Sequence, residues 1–176
     1  MDLSLLSFLY PNIISFILGL LTGIFTHLFY RWIDEKRTRK KLVKALLEEL
    51  QTDYEILERQ LKTIEQLNTH GPSAHINVEK LFSTYHAESF HTMRNTDPKL
   101  YSIITSKLKS VIDAYQNLFL LNELRNEILH LTLLRDRPFW FVTLVNLKEN
   151  LGQLLNNTRY LIKSSIESLE NLDVAT

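Results

Sequence analysis

The chain opens on an uninterrupted apolar run. No Asp, Glu, Lys or Arg occurs between Asp2 and Arg31, and Ile13 to Tyr30 reads IISFILGLLTGIFTHLFY. A helix rises ~1.5 Å per residue, so ~20 apolar residues cross a ~30 Å hydrocarbon core. Pro11 to Tyr30 meets that length. Pro11 is expected at the start of the helix, where its missing N–H would be unpaired anyway. Tyr10 on one side, and Tyr30 and Trp32 on the other, fall where amphipathic rings prefer the membrane interface. A signal peptide has a basic start and a small-residue cleavage site, whereas MDLSLLSFLY holds no Lys or Arg. The run therefore reads as a retained anchor.

Beyond the run the pattern turns amphipathic. Leu42, Leu46, Leu50, Leu57, Leu61 and Ile64 form one stripe, with Glu48, Glu49, Glu55, Glu58, Lys62 and Glu65 between them. The spacing predicts that the membrane helix continues to about Leu67, where His70-Gly71-Pro72 stops it. Asn77 is a good N-cap for a helix to about Arg94. Asp97-Pro98 is a second start signal, opening a long helix that is apolar on more than one face. Asp136 to Pro138 ends it. A last helix from about Phe139 to Leu172 carries Phe141, Leu144, Leu147, Leu151, Leu154, Leu155, Leu161 and Ile162 at helical spacing. No strand pattern occurs. The expected fold is all-α: a single N-terminal transmembrane helix (residues 1–32), then a bundle of four to five helices (residues 33–176).

Charge fixes the expected orientation. Arg31, Lys36, Arg37, Arg39, Lys40, Lys41 and Lys44 follow the apolar run, and no Lys or Arg precedes it. The positive-inside rule then places the helical domain in the cytoplasm and the N-terminus outside. The same cations can meet anionic headgroups of the lipid bilayer. Formal net charge over the 176 residues is zero, so strong bulk nucleic-acid binding is not predicted outside this cluster. Cysteine is absent, which excludes disulfides and thiolate chemistry. Six histidines without Cys, and without paired ligand spacing, argue against a structural zinc site. No Gly-rich phosphate loop, HExxH or GxSxG is present, so no cofactor or metal is expected.

The apolar run also carries a pattern of its own. Ser15, Gly19 and Gly23 recur every four residues, and Gly19-Leu-Leu-Thr-Gly23 is a GxxxG. Small residues at that spacing let membrane helices approach closely. Thr22, Thr26 and His27 add polar groups, and an intramembrane ionisable group is a functional candidate because facing lipid is costly. His27 lies only a turn from Arg31, so an imidazole reaching the headgroups is an equal reading. One span cannot enclose a channel. Several copies can, with Ser15, Gly19, Thr22, Gly23, Thr26 and His27 forming the assembly or pore helix face.

One short motif carries chemistry. Leu124-Arg125-Asn126-Glu127-Ile128-Leu129-His130 resembles the R-x4-6-H motif of HEPN domains, in which a polar residue, often Asn, follows the Arg. That resemblance implies a small helical bundle that dimerises and, in active members, a metal-independent RNase. His130 would then be the general acid/base, Arg125 would grip the phosphate, and Asn126 would orient one of them. In an unbroken helix, however, positions five apart lie ~140° from one another. Arg125 can instead pair with Glu123, Glu127 or a neighbouring helix, and His130 can be a core histidine.

Taken together, the small-residue span, basic junction, helical domain and R-N-x3-H resemble the small membrane accessory proteins of type VI-B CRISPR systems. These accompany an RNA-guided, RNA-targeting nuclease. The resemblance implies a HEPN-like fold, a homo-oligomeric ring, and a pore in the bacterial inner membrane that strengthens antiphage defence. Arg125 and His130 would then shape the bundle or an interface rather than catalyse. Two other classes remain open: a membrane-tethered HEPN ribonuclease acting on RNA, and a non-catalytic anchored module that binds a partner.

Overall fold

The structure is a computed structural model. It describes residues 3–66, 84–132 and 140–172, with the side chains of 14–66, 84–126 and 148–172. Their regular elements are all helices, with no strand among the described residues: α1 (Leu3–Gln66), α2 (Glu88–Thr96), α3 (Pro98–Lys107), α4 (Lys109–Thr132) and α5 (Trp140–Glu170). The chain divides between Lys41 and Leu42 into two units.

α1 runs on past the apolar segment to Gln66, close to the expected end at Leu67. It begins earlier than expected. Leu3 starts the helix, so Pro11 lies inside it rather than in its first turn. Apolar Leu3 to Tyr10 continues the same pattern, and the helix accepts one missing N–H at Pro11.

In the N-terminal unit, α1 contains an apolar window long enough to cross a membrane, and none of that window is buried within the chain. Phe16 and Phe25 are 71% and 75% exposed. A soluble helix would hide such a face against its own domain. Among the described residues nothing covers this segment. At its basic end Lys36 Nζ sits 5.2 Å from the Trp32 ring centre, and Arg31 bonds Glu35 at 3.1 Å.

In the C-terminal unit, the stripe on α1 turns inward. Leu46, Leu50, Leu57, Leu61 and Ile64 are buried, and Leu42 is half-buried. Burying such side chains contributes ~1.5–3 kcal/mol each. They share the core with Met93 of α2, Leu100 and Ile104 of α3, Val111, Ala114, Leu118 and Leu121 of α4, and Leu151, Leu155, Ile162 and Leu169 of α5. α5 packs along α4, α2 against α3, and α3 against α4. Arg159 on α5 reaches Glu58 on α1 at 3.2 Å.

The Asp97-Pro98 start is as read. The Asp97 carboxylate accepts the Leu100 N–H at 2.9 Å, and Pro98 occupies the first turn of α3.

Two expected helices are corrected. The helix expected from Asn77 to about Arg94 is not continuous: Thr84 to Ala87 are not helical, and α2 starts after them at Glu88. Asn77 and the stop at His70-Gly71-Pro72 lie outside the described residues, as does Asp136 to Pro138. The long helix after Pro98 is two helices, divided at Leu108, whose φ and ψ are −120° and 67°. Neither Gly nor Pro marks that break. The division lets Leu100 and Ile104 on one side, and Val111 and Leu118 on the other, all enter the core. Tertiary packing overrides a helical sequence there.

Candidate functional site

Two regions hold the residues singled out from the sequence. The first is the span. At ~100° per residue, Ser15, Gly19, Thr22, Gly23, Thr26 and His27 occupy an arc of about 140° on α1. Phe16 and Tyr30 also fall within that arc, and Ile17, Leu18, Leu20, Leu21, Ile24, Phe25, Leu28 and Phe29 take the remainder. A Cβ added at Gly19 or Gly23 meets nothing within 4 Å. Both glycines therefore leave a shallow, unfilled strip along the helix. Thr22 donates its hydroxyl to the Leu18 carbonyl at 2.7 Å, which satisfies the donor within the helix and leaves the oxygen to accept. Thr26 and His27 are exposed on the same side. The structure keeps all six residues on one face of one helix.

The second region surrounds Arg125. α4 runs unbroken from Lys109 to Thr132, so Arg125, Asn126 and His130 lie on one continuous helix. By backbone position His130 stands ~140° around the axis from Arg125. Its side chain lies outside the described residues. Asn126 is exposed. Arg125 Nη1 donates to the Thr84 hydroxyl at 2.6 Å, and its Nε is buried without a partner. The structure thus joins Arg125 to the non-helical segment Thr84 to Ala87, a relationship absent from the motif.

That segment is held by polar side chains from two helices. Asn122 on α4 accepts the Tyr85 N–H at 3.1 Å and donates to the Tyr85 carbonyl at 3.3 Å. Asp53 on α1, fully buried, accepts the His86 N–H through both oxygens at 3.1 and 3.2 Å. Its Oδ1 also lies 3.0 Å from His86 Nδ1. The Tyr85 hydroxyl donates to Gln60 Oε1. One turn before Asp53, Glu49 takes the Ser89 N–H at 2.7 Å and the Tyr115 hydroxyl at 2.6 Å. Ala87 gives α2 no side-chain cap, so Glu49 supplies the acceptor that the first turn lacks. Phe90 stacks on Tyr115 with ring centres 4.4 Å apart, closing the cluster on its apolar side.

Burial dominates the electrostatics. It raises the Asp53 carboxyl to about 6, against the lowering effect of its bonds to His86. Burial also pushes up the Tyr85 and Tyr115 phenols, aided by Asp53 beside Tyr85 and by Glu49 beside Tyr115. Both phenols stay protonated and serve as donors. A cavity of 310 Å³ opens beside Glu48, Glu49, Thr52, His86 and Glu88. Among the described residues no group of three or more His, Asp or Glu is placed to hold a metal ion.

The buried set of Glu49, Asp53, Gln60, Tyr85, Tyr115 and Asn122 was not singled out from the sequence. A signal for part of it exists. Asp53 follows Glu49 by four residues and Gln60 by seven more, which lines them along the edge of the apolar stripe on α1. Their partners are 25 to 66 residues away, and nothing in the sequence announces them. His86 lies before α2 and joins the Asp53 cluster.

No family model matches this chain, and neither a curated protein nor a solved structure matches it.

Proposed function

We propose that this protein is a CRISPR-associated accessory protein that assembles into a homo-oligomeric pore in the bacterial inner membrane. In this reading it crosses the membrane once, with its N-terminus outside and its helical domain in the cytoplasm. It enhances antiphage defence by permeabilising that membrane when a partner RNA-guided nuclease has recognised its target. The observation that carries the reading is the apolar segment of α1, exposed throughout and with its glycines and most of its polar residues gathered on one face. Large side chains on the remaining arc suit lipid. The glycine strip suits close packing of identical helices, and the Thr and His groups suit an aqueous interior.

The ribonuclease reading has less support. Arg125 is engaged with Thr84, and its motif lies within a helix that runs without a break from Lys109 to Thr132. In the pore reading Arg125 holds the Thr84 to Ala87 segment, and the domain organises the assembly.

The test is the mass of the full-length protein in mild detergent, by mass photometry or electron microscopy. The proposal expects large homo-oligomers, and a strictly monomeric protein sinks it.

A further inference from the structure

Some of the cations next to the span share one face, while Arg39 stands on the opposite side of the helix. Arg37, Lys40 and Lys41 stand eighteen residues beyond Gly19, Thr22 and Gly23 respectively. Eighteen residues are five turns of a 3.6-residue helix, ~27 Å along its axis. Each cation therefore lies on the line of its small or polar counterpart, within the same unit of the chain. All three are exposed. Asp34 stands at the rim of their arc and Glu35 lies outside it. Arg31 pairs with Glu35, and Lys36 covers Trp32 on the side of the large apolar residues.

We infer that Arg37, Lys40 and Lys41 line the cytoplasmic mouth of the pore and make it selective for small anions. The inference rests on the pore reading above and deepens it. Large side chains from Ile17 to Phe29 define the side of the helix that meets lipid. The three cations share the other side with Gly19, Thr22 and Gly23. Packed helix against helix, like charges would repel across every contact. Facing a water-filled mouth, they stay hydrated, and the ring of copies sums their positive potential. Rings of Arg or Lys attract anions and repel cations at close quarters. Selectivity of this origin weakens as salt screens the ring, because the Debye length falls to ~3 Å at 1 M.

The experiment uses the full-length protein in planar bilayers under an asymmetric KCl gradient. The expected reversal potential lies towards the chloride equilibrium potential. Replacing the cations together, as Arg37→Glu, Lys40→Glu and Lys41→Glu, shifts it towards the potassium side while conductance persists. A conducting wild-type pore that favours potassium, or favours neither ion, overturns the inference and leaves the pore reading standing. A chloride-selective pore whose reversal potential ignores the triple substitution also overturns it. If conductance in that case follows the phosphatidylglycerol content of the bilayer, the cations belong to lipid headgroups instead. Absence of conductance overturns the pore reading and the inference with it.

Discussion

Asp53 accepts the His86 backbone N–H through both carboxylate oxygens, at 3.1 and 3.2 Å, from a site with no solvent exposure. A helix-borne acid thus fixes a non-helical segment on which Asn122 and Arg125 also converge. The residue that first pointed to phosphate chemistry is part of that fixing.

The Asp53 site makes stability depend on pH. Its carboxyl is raised from 3.8 to about 6, so the folded state holds the proton more tightly than the unfolded state. The contribution of this group is full below the unfolded value of 3.8. It is lost as pH rises through about 6. Asn at this position cannot titrate. Melting of wild type and Asp53→Asn, followed by scanning fluorimetry across this window, should show the difference moving in favour of the variant as pH rises. A difference that stays constant contradicts the assignment.

Tyr115→Phe removes the donor to Glu49 Oε1 and keeps the ring stacked on Phe90. An oxygen of a buried carboxylate is then left unsatisfied. The expected cost is about 1–3 kcal/mol, read as a lower midpoint in chemical denaturation of the detergent-solubilised protein. A midpoint equal to that of wild type would mean that water replaces the phenol without loss.

Arg125→Ala breaks the bond to Thr84 and should lower stability by about 1 kcal/mol. It should leave RNA untouched, because wild type is expected to cleave none. Labelled single-stranded RNA incubated with purified wild type and with Arg125→Ala and His130→Ala is the check. Cleavage by wild type that vanishes in both variants would favour the tethered ribonuclease.

The sequence made some of these features visible and hid others for physical reasons. Periodicity is local, so the buried stripe of α1 and the cap at Asp97 were legible from neighbouring residues. Leu151, Leu155 and Ile162 of α5 are buried as their spacing implied. Phe141, Leu144 and Leu147 lie outside the described side chains. The break at Leu108 was not legible, because no residue there disfavours a helix and the advantage comes from packing. Glu49 read as a polar position between stripe residues, yet it is only 9% exposed. Its burial depends on Tyr115 and Ser89, which only the fold brings to it. The face shared by Ser15, Gly19, Thr22, Gly23, Thr26 and His27 required nothing beyond helical geometry.

That face carries the central claim, and ion efflux from proteoliposomes tests it most directly. Full-length wild type should release a trapped ion, and Gly19→Leu combined with Gly23→Leu should abolish release, because bulky side chains hold the helices apart. The doubly substituted protein should still show its helical far-UV signal, since beyond the local helix backbone a Cβ at either position meets nothing within 4 Å. Wild-type liposomes that stay sealed, or a variant that releases the ion as readily as wild type, would contradict the account.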